Sequence, residues 1–251
     1  MVSHLIDSIP DRNTVFDGWN DDPVRFVMGT PPELGPLLAE QPPPGAAGVL
    51  PFCVQGGHIF LLLGREAPRQ NFQGAGTWCD FGGGVHGKKT SMQVATQELQ
   101  EETFGSIMDD IHRLQAFVEN NLRMFVCSNV GRKTPYHMYV VQVPYCDIPS
   151  VFRWRLRVAR KYRNCDNTCQ SAERARLQRE QPHGFQMNGK IRKAWLEKDD
   201  IQWVSVDKLH QFPLRWEFLD TIRRDNIVGN LKSRMVDQSN SSHFGGRNEI
   251  Q

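Results

Sequence analysis

The chain has 251 residues, a formal net charge of +2 and 39% hydrophobic content. That length suits one sizeable domain with additions, or two small ones, and the composition is that of an ordinary globular protein. No apolar run approaches the roughly 20 residues that span a bilayer, and MVSHLIDSIPDRN lacks the basic start and apolar centre of a secretory signal, so an intracellular, cytoplasmic protein with no membrane association is expected.

Residues 1–45 are rich in Pro, Asp and Gly, show no sustained period and read as an irregular lead-in. VLPFCV and HIFLLLGRE read as two strands joined by a turn at Gln55-Gly56-Gly57. A polar loop over 67–76 leads to GTWCDF and then to glycines Gly82, Gly83 and Gly84, read as a sharp turn. A helix over Ser91–Thr103 follows, with Thr90 or Ser91 as its N-cap. SIMDDIHRLQAFVENN is helix or strand, LRMFVCSN a strand, and TPYHMYVVQVPY the clearest strand, rich in β-branched and aromatic residues. KAWLEKDDIQWVSVDKLHQF reads as acids before a strand and then a short helix. FPLRWEFLDTIRRDNI reads as the last helix, with Trp216, Leu219 and Ile222 at core spacing. A flexible tail is expected over 230–251. The cysteines at 53, 79, 127, 146, 165 and 169 read as small buried thiols, not a disulfide framework. Cys165, Cys169 and His183 fall short of a structural zinc set.

Residues 151–193 carry twelve Lys or Arg against three acids, a local charge of +9 that leaves −7 for the rest of the chain. VFRWRLRVARKYR and SAERARLQREQ look helical within this stretch. So dense a cationic segment is an electrostatic footprint for a polyanion, with a solvated surface insertion as the bland alternative. Trp154, Tyr162 and Phe185 are candidate stacking surfaces for bases.

The organising stretch is GGGVHGKKTSMQVATQELQEETFG, from Gly82 to Gly105. Glu98, Glu101 and Glu102 stand at i, i+3 and i+4 and so share one helical face, beside an apolar side made by Met92, Ala95 and Leu99. Three converging carboxylates need a cation among them, or a retained proton. Hard ions such as Mg²⁺ suit an oxygen cluster of this kind.

This stretch resembles the Nudix box, G-x5-E-x7-R-E-U-x-E-E-x-G-U. Gly83 matches the box glycine, and Glu98, Leu99, Glu101 and Glu102 match its E-U-x-E-E core. Lys89 stands where the first box glutamate is expected and Gln97 where the arginine is. The closing glycine comes one residue late, at Gly105, with Phe104 in its place. GTWCDFGGG is similar to the entry into the box, and the phrasing around it looks most similar to large-DNA-virus members. The resemblance implies an α/β fold, an α/β/α sandwich with a mixed sheet over 46–229, interrupted by the basic helical insertion. It also implies Mg²⁺ or Mn²⁺ held by Glu98, Glu101 and Glu102, and hydrolysis of a pyrophosphate bond in a nucleoside-diphosphate-linked substrate. Glu98 or the out-of-box Glu197 is the expected general base, with Asp199 and Asp200 behind it. Gly82, Gly83, Lys89, Arg157, Arg160 and Lys161 are the expected substrate contacts. Among polyanions, capped RNA is the first choice, bound partly through 151–193. Lys89 and Gln97 keep two other readings open: a Nudix-fold nucleotide- or RNA-binding protein without turnover, and a basic adaptor in which the box is coincidence.

Overall fold

The computed structural model describes residues 43–69, 72–128, 134–164, 186–187, 190–191 and 193–234. The proline-rich lead-in before residue 43, SAERARLQREQ, the Cys165–Cys169 pair and His183 lie outside them, as does the end of the tail.

One mixed sheet of seven strands organises the described chain. Strands β1 (Ala46–Gln55) and β2 (His58–Glu66) form the expected hairpin, with left-handed Gly56 and Gly57 making its turn. β3 (Trp78–Cys79) extends β2, while β4 (Phe81–Gly84) pairs antiparallel with the first half of β1. β5 (Leu122–Ser128) and β6 (Tyr136–Gln142) are antiparallel to each other, and β6 runs parallel to β1 on its other edge. β7 (Gln186–Met187) and β8 (Lys190–Ile191) pair antiparallel as a second, two-stranded sheet. β9 (Lys198–Ser205) closes the sheet along β2.

The period of two in these strands divides the core into two layers. Ala47 and Val49 of β1 and Tyr139 and Val141 of β6 face α1 (Ser91–Glu102), α2 (Ile111–Asn120) and α3 (Ile148–Asn164). Leu50, Phe52, Met138 and Val140 face the opposite way, toward Leu209 of the 3-10 turn Val206–Gln211, α4 (Trp216–Arg224) and a helix over 227–234. The result is the α/β/α sandwich with a mixed sheet.

Several elements differ from the sequence reading. Gly82–Gly84 are strand, not turn. A side chain at Gly82 would meet the Tyr136 hydroxyl at 2.3 Å and the Gly48 Cα at 2.8 Å, so glycine serves close strand approach there. Trp216 is 59% exposed, and α4 turns Phe218 and Ile222 inward instead. Order continues past residue 230, because Leu231 is buried on the helix over 227–234. The first part of the basic stretch belongs to the core, since Phe152, Leu156 and Ala159 of α3 pack beneath the sheet.

Candidate active site

Helix α1 begins with a capping box. Thr90 accepts from the Gln93 N–H, and the Gln93 side chain accepts from the Thr90 N–H. Its first residue is tied to the sheet through Ser91 Oγ, 2.7 Å from the Tyr139 hydroxyl. At the other end Phe104 adopts φ 54°, where the box pattern has glycine. Such a conformation costs roughly 1–3 kcal/mol. Phe104 is fully buried, edge-on to Phe152 and Trp195 at 5.5 and 5.7 Å, and burying such a ring contributes about 1.5–3 kcal/mol. The two are comparable, so burial of the ring offsets the strain a glycine would avoid there, and Gly105 takes the next left-handed position at φ 61°.

The three box glutamates meet different surroundings. Glu98 lies against β4: a Cβ on Gly83 would fall 2.4 Å from Glu98 Oε1. Burial, then the Glu101 and Glu197 carboxylates, push its pKa up to about 7. Among the described residues it accepts no hydrogen bond. Glu101 Oε1 accepts from Gln97 Nε2 at 2.8 Å, and Gln97 Oε1 in turn accepts from Lys89. Gln97 thus orients a carboxylate without bringing charge, and Lys89, on the exposed turn before the helix, is bonded to Gln97.

Glu102 departs from its expected place on an open acidic edge. It is 2% exposed, and both its oxygens are engaged, Oε2 by the Gly82 N–H at 2.9 Å and Oε1 by Lys198 Nζ at 3.3 Å. Lys198, at the start of β9 and 1% exposed, also donates to Glu66 Oε1 at 2.7 Å and lies 3.2 Å from Cys79 Sγ. Its aliphatic stem crosses Gly64 of β2, where a Cβ would meet Lys198 Cδ at 3.0 Å. Burial opposes the charged amine, but the Glu102 and Glu66 carboxylates hold its pKa well above the usual lysine value. Burial alone would raise Glu66, yet Lys198 keeps it below the ordinary range. One amine cannot serve two buried carboxylates equally. Burial pushes the Glu102 carboxyl up, Lys198 pulls it down, and Glu66 adds to the rise.

The remaining expected residues divide. Glu197 precedes β9, its carbonyl accepting from the Ala67 N–H at 2.8 Å and its Oε2 paired with Arg69 at 2.7 Å. Its charge is felt at both Glu98 and Glu102. Asp199 and Asp200 are instead ion-paired with Arg65 and Arg153. Arg157, Arg160 and Lys161 are exposed on α3, and no described contact joins them to the glutamates. Cys79, pushed up to about 12 by burial, is a neutral thiol.

On the other side of β4 lies a cavity of about 360 Å³, in the size range of small-ligand sites. Gly82–Gly84, Asp80, Tyr136, Arg215 and Glu217 are among its lining residues. Asp80 accepts from the Tyr136 hydroxyl at 2.6 Å, and Arg215 reaches Glu217 at 3.2 Å and Glu66 at 3.5 Å. A chain of charges, Arg215–Glu66–Lys198–Glu102, therefore runs from the cavity to the box helix. Sequence reading missed Lys198, Glu66 and Arg215. A lysine within EKDDIQW resembles a solvated turn, and only the β2–β9 register brings it to Glu66.

Among the described residues no group of three or more His, Cys, Asp or Glu is disposed to hold a metal ion. Mg²⁺ commonly takes only one or two protein carboxylates, with waters and substrate phosphates completing its octahedron. Glu98, which accepts no hydrogen bond among the described residues, fits that smaller demand, with Glu101, buried and accepting from Gln97, as the second carboxylate. Glu102, hydrogen-bonded to the Gly82 N–H at one oxygen and ion-paired with Lys198 at the other, does not.

Neither the family models nor the curated proteins give a match to this chain. The solved structures it is similar to are Nudix proteins. A Nudix hydrolase from M. smegmatis, RenU, shares 17% identity, covering 74% of this chain and 86% of its own, with a TM-score of 0.41. The Nudix domain of Shewanella oneidensis NrtR complexed with ADP ribose shares 13% over 75% and 89%, with a TM-score of 0.39. The C. elegans Ap4A hydrolase shares 12% over 74% and 98%, with a TM-score of 0.37. The likeness is one of fold and assigns no residue a role. These proteins are bacterial and nematode, and nothing in them supports the likeness to large-DNA-virus members. Among the described residues no helix is long and apolar enough to cross a membrane.

Proposed function

We propose that this chain is a Nudix-type pyrophosphohydrolase acting on a nucleoside-diphosphate-linked substrate, with Glu98 and Glu101 holding Mg²⁺ or Mn²⁺. The observation that carries the reading is Glu98, a desolvated carboxylate with pKa about 7, held against the glycine strand beside Glu101. A divalent ion bound there supplies charge neutralisation on the pyrophosphate oxygens and a water of lowered pKa. The backbone at Gly82 and Gly83 lets the phosphates approach closely, since no side chain intervenes. Glu197 takes the proton of the attacking water. Arg69 anchors its Oε2, and Oε1 accepts no hydrogen bond among the described residues.

Among such substrates the exposed Arg157, Arg160 and Lys161 favour a polyanion, and capped RNA is the first candidate. The test is hydrolysis with Mn²⁺ of cap-labelled RNA, free cap analogue, a diphosphoinositol polyphosphate, ADP-ribose and a dinucleoside polyphosphate. Release of nucleoside diphosphate from RNA in preference to the free cap establishes the capped-RNA reading. Turnover of a small substrate alone removes it and keeps the hydrolase. A second reading, a binding protein without turnover, is favoured by the Lys89–Gln97–Glu101 and Lys198–Glu102 contacts, which bring positive charge to the carboxylates. Binding with no turnover of any substrate establishes that reading instead.

A further inference from the structure

Two buried carboxylates and one buried ammonium form a closed set behind the box helix. Lys198 Nζ is 2.7 Å from Glu66 and 3.3 Å from Glu102, with all three side chains at most 3% exposed. Lys198 cannot reach a substrate from there. The charge is needed nonetheless, because a buried carboxylate without a cation is strongly unfavourable. The second Glu102 oxygen is taken by the Gly82 N–H. An ion seated between Glu98 and Glu102 would have to displace one of these partners.

We propose that the Lys198 ammonium is a built-in counter-cation that takes the place of a metal ion at Glu102, confining divalent cations to the Glu98 and Glu101 carboxylates. Lys198 is thus a positioning residue. It fixes Glu102, and through Glu102 the Gly82 backbone, without touching the substrate. The stem of Lys198 lies flat only because Gly64 has no side chain, so the lysine and the glycine act as one device. The proposal rests on the reading that Glu98 and Glu101 hold the divalent ion.

The experiment titrates Mn²⁺ alone against the full chain and its Glu98→Gln, Glu102→Gln, Lys198→Met and Lys198→Met/Glu102→Gln variants. With Lys198 present, Glu102→Gln should change Mn²⁺ affinity less than about twofold. Lys198→Met should raise affinity about tenfold or add a second equivalent, and the double variant should lose that gain. A loss of about tenfold or more in Glu102→Gln overturns the proposal, as does a Lys198→Met chain that gains nothing. Should Lys198→Met prove unstable, the Glu102→Gln titration decides by itself. The Glu98→Gln arm separates the two readings: if it leaves Mn²⁺ binding intact, the assignment of the ion to Glu98 falls, while the Glu102 arms still judge Lys198.

Discussion

Two glutamates one turn apart in the last part of the box helix meet opposite fates. At the Glu98 end, the carboxylate lies against a bare glycine strand and accepts no hydrogen bond among the described residues. At the Glu102 end, one turn later, a lysine and a backbone N–H take both oxygens. Helical periodicity sets which face a glutamate shares, but the strand opposite decides which of its oxygens are already engaged. Here that strand is β9, paired with β2 and far from the helix in sequence.

The sharpest way to break this contrast is to neutralise each end in turn. Glu98→Gln should cost about 10³ in kcat/KM on whichever substrate turns over, since several kcal/mol of metal-borne charge stabilisation go with it. Glu102→Gln should cost about tenfold or less, and equal losses would abolish the distinction. Glu197→Gln should lower kcat about 10²-fold with Mn²⁺ affinity unchanged, as expected of a proton acceptor that is not a ligand. Gly83→Ala places a methyl 2.4 Å from Glu98 Oε1 and must move the carboxylate. Displacement of that order costs about 10²-fold in rate. A Gly83→Ala chain with full kcat would show that Glu98 is not held by β4.

The closed end is probed by stability. Gly64→Ala would set a Cβ 2.9 Å from the Phe81 ring and 3.0 Å from the Lys198 stem, and overpacking of this kind costs about 1–3 kcal/mol, read by urea unfolding. Acid and base act on the two ends together. Glu98 holds its proton up to about 7, against about 4.5 for a free glutamate. The metal-free folded chain therefore binds more protons than the unfolded chain across that window, and its stability falls as pH rises through it. Saturating Mn²⁺ should flatten the Glu98 share of the slope. Glu66 acts in the opposite sense, its contribution present above 4.5 and lost as acid lowers the pH through its depressed value. A metal-free melting temperature that climbs from pH 5 to pH 8 contradicts this assignment. The smallest effect is expected from Arg157→Ala, Arg160→Ala and Lys161→Ala together. They should weaken RNA binding modestly and reduce its salt slope by about 0.7 per lost phosphate contact.

What the sequence made legible is local. The capping box at Thr90, the Ser91–Glu102 helix and the Gly56-Gly57 hairpin depend on neighbours a few residues away, and each stands where its residues point. Non-local facts were harder. Gly82–Gly84 look like a turn because glycine's demand for close packing against Gly48 and Tyr136 is invisible until β1 and β6 are aligned. Trp216 stands near core spacing, yet Phe218 and Ile222 take the inward face because the hydrophobic layer on that side is filled by Leu209, Ile227 and Leu231. Lys198 could be noticed only by asking which cation answers three acids on one helix.

Strand β4 leaves a mark on how this scaffold can change. Its first two glycines are hemmed in on opposite sides, Gly82 by Tyr136 and Gly48, Gly83 by Glu98. Neither position admits even a methyl without moving a neighbour. Variation in what the cavity accepts must then be written on its other walls, on Met138 of β6 and on Arg215, Glu217, Phe218 and Thr221 around α4. The carboxylate side and the cavity side share a partition that cannot itself be edited, so a designer reshaping this protein has one face to work with and should leave the other alone.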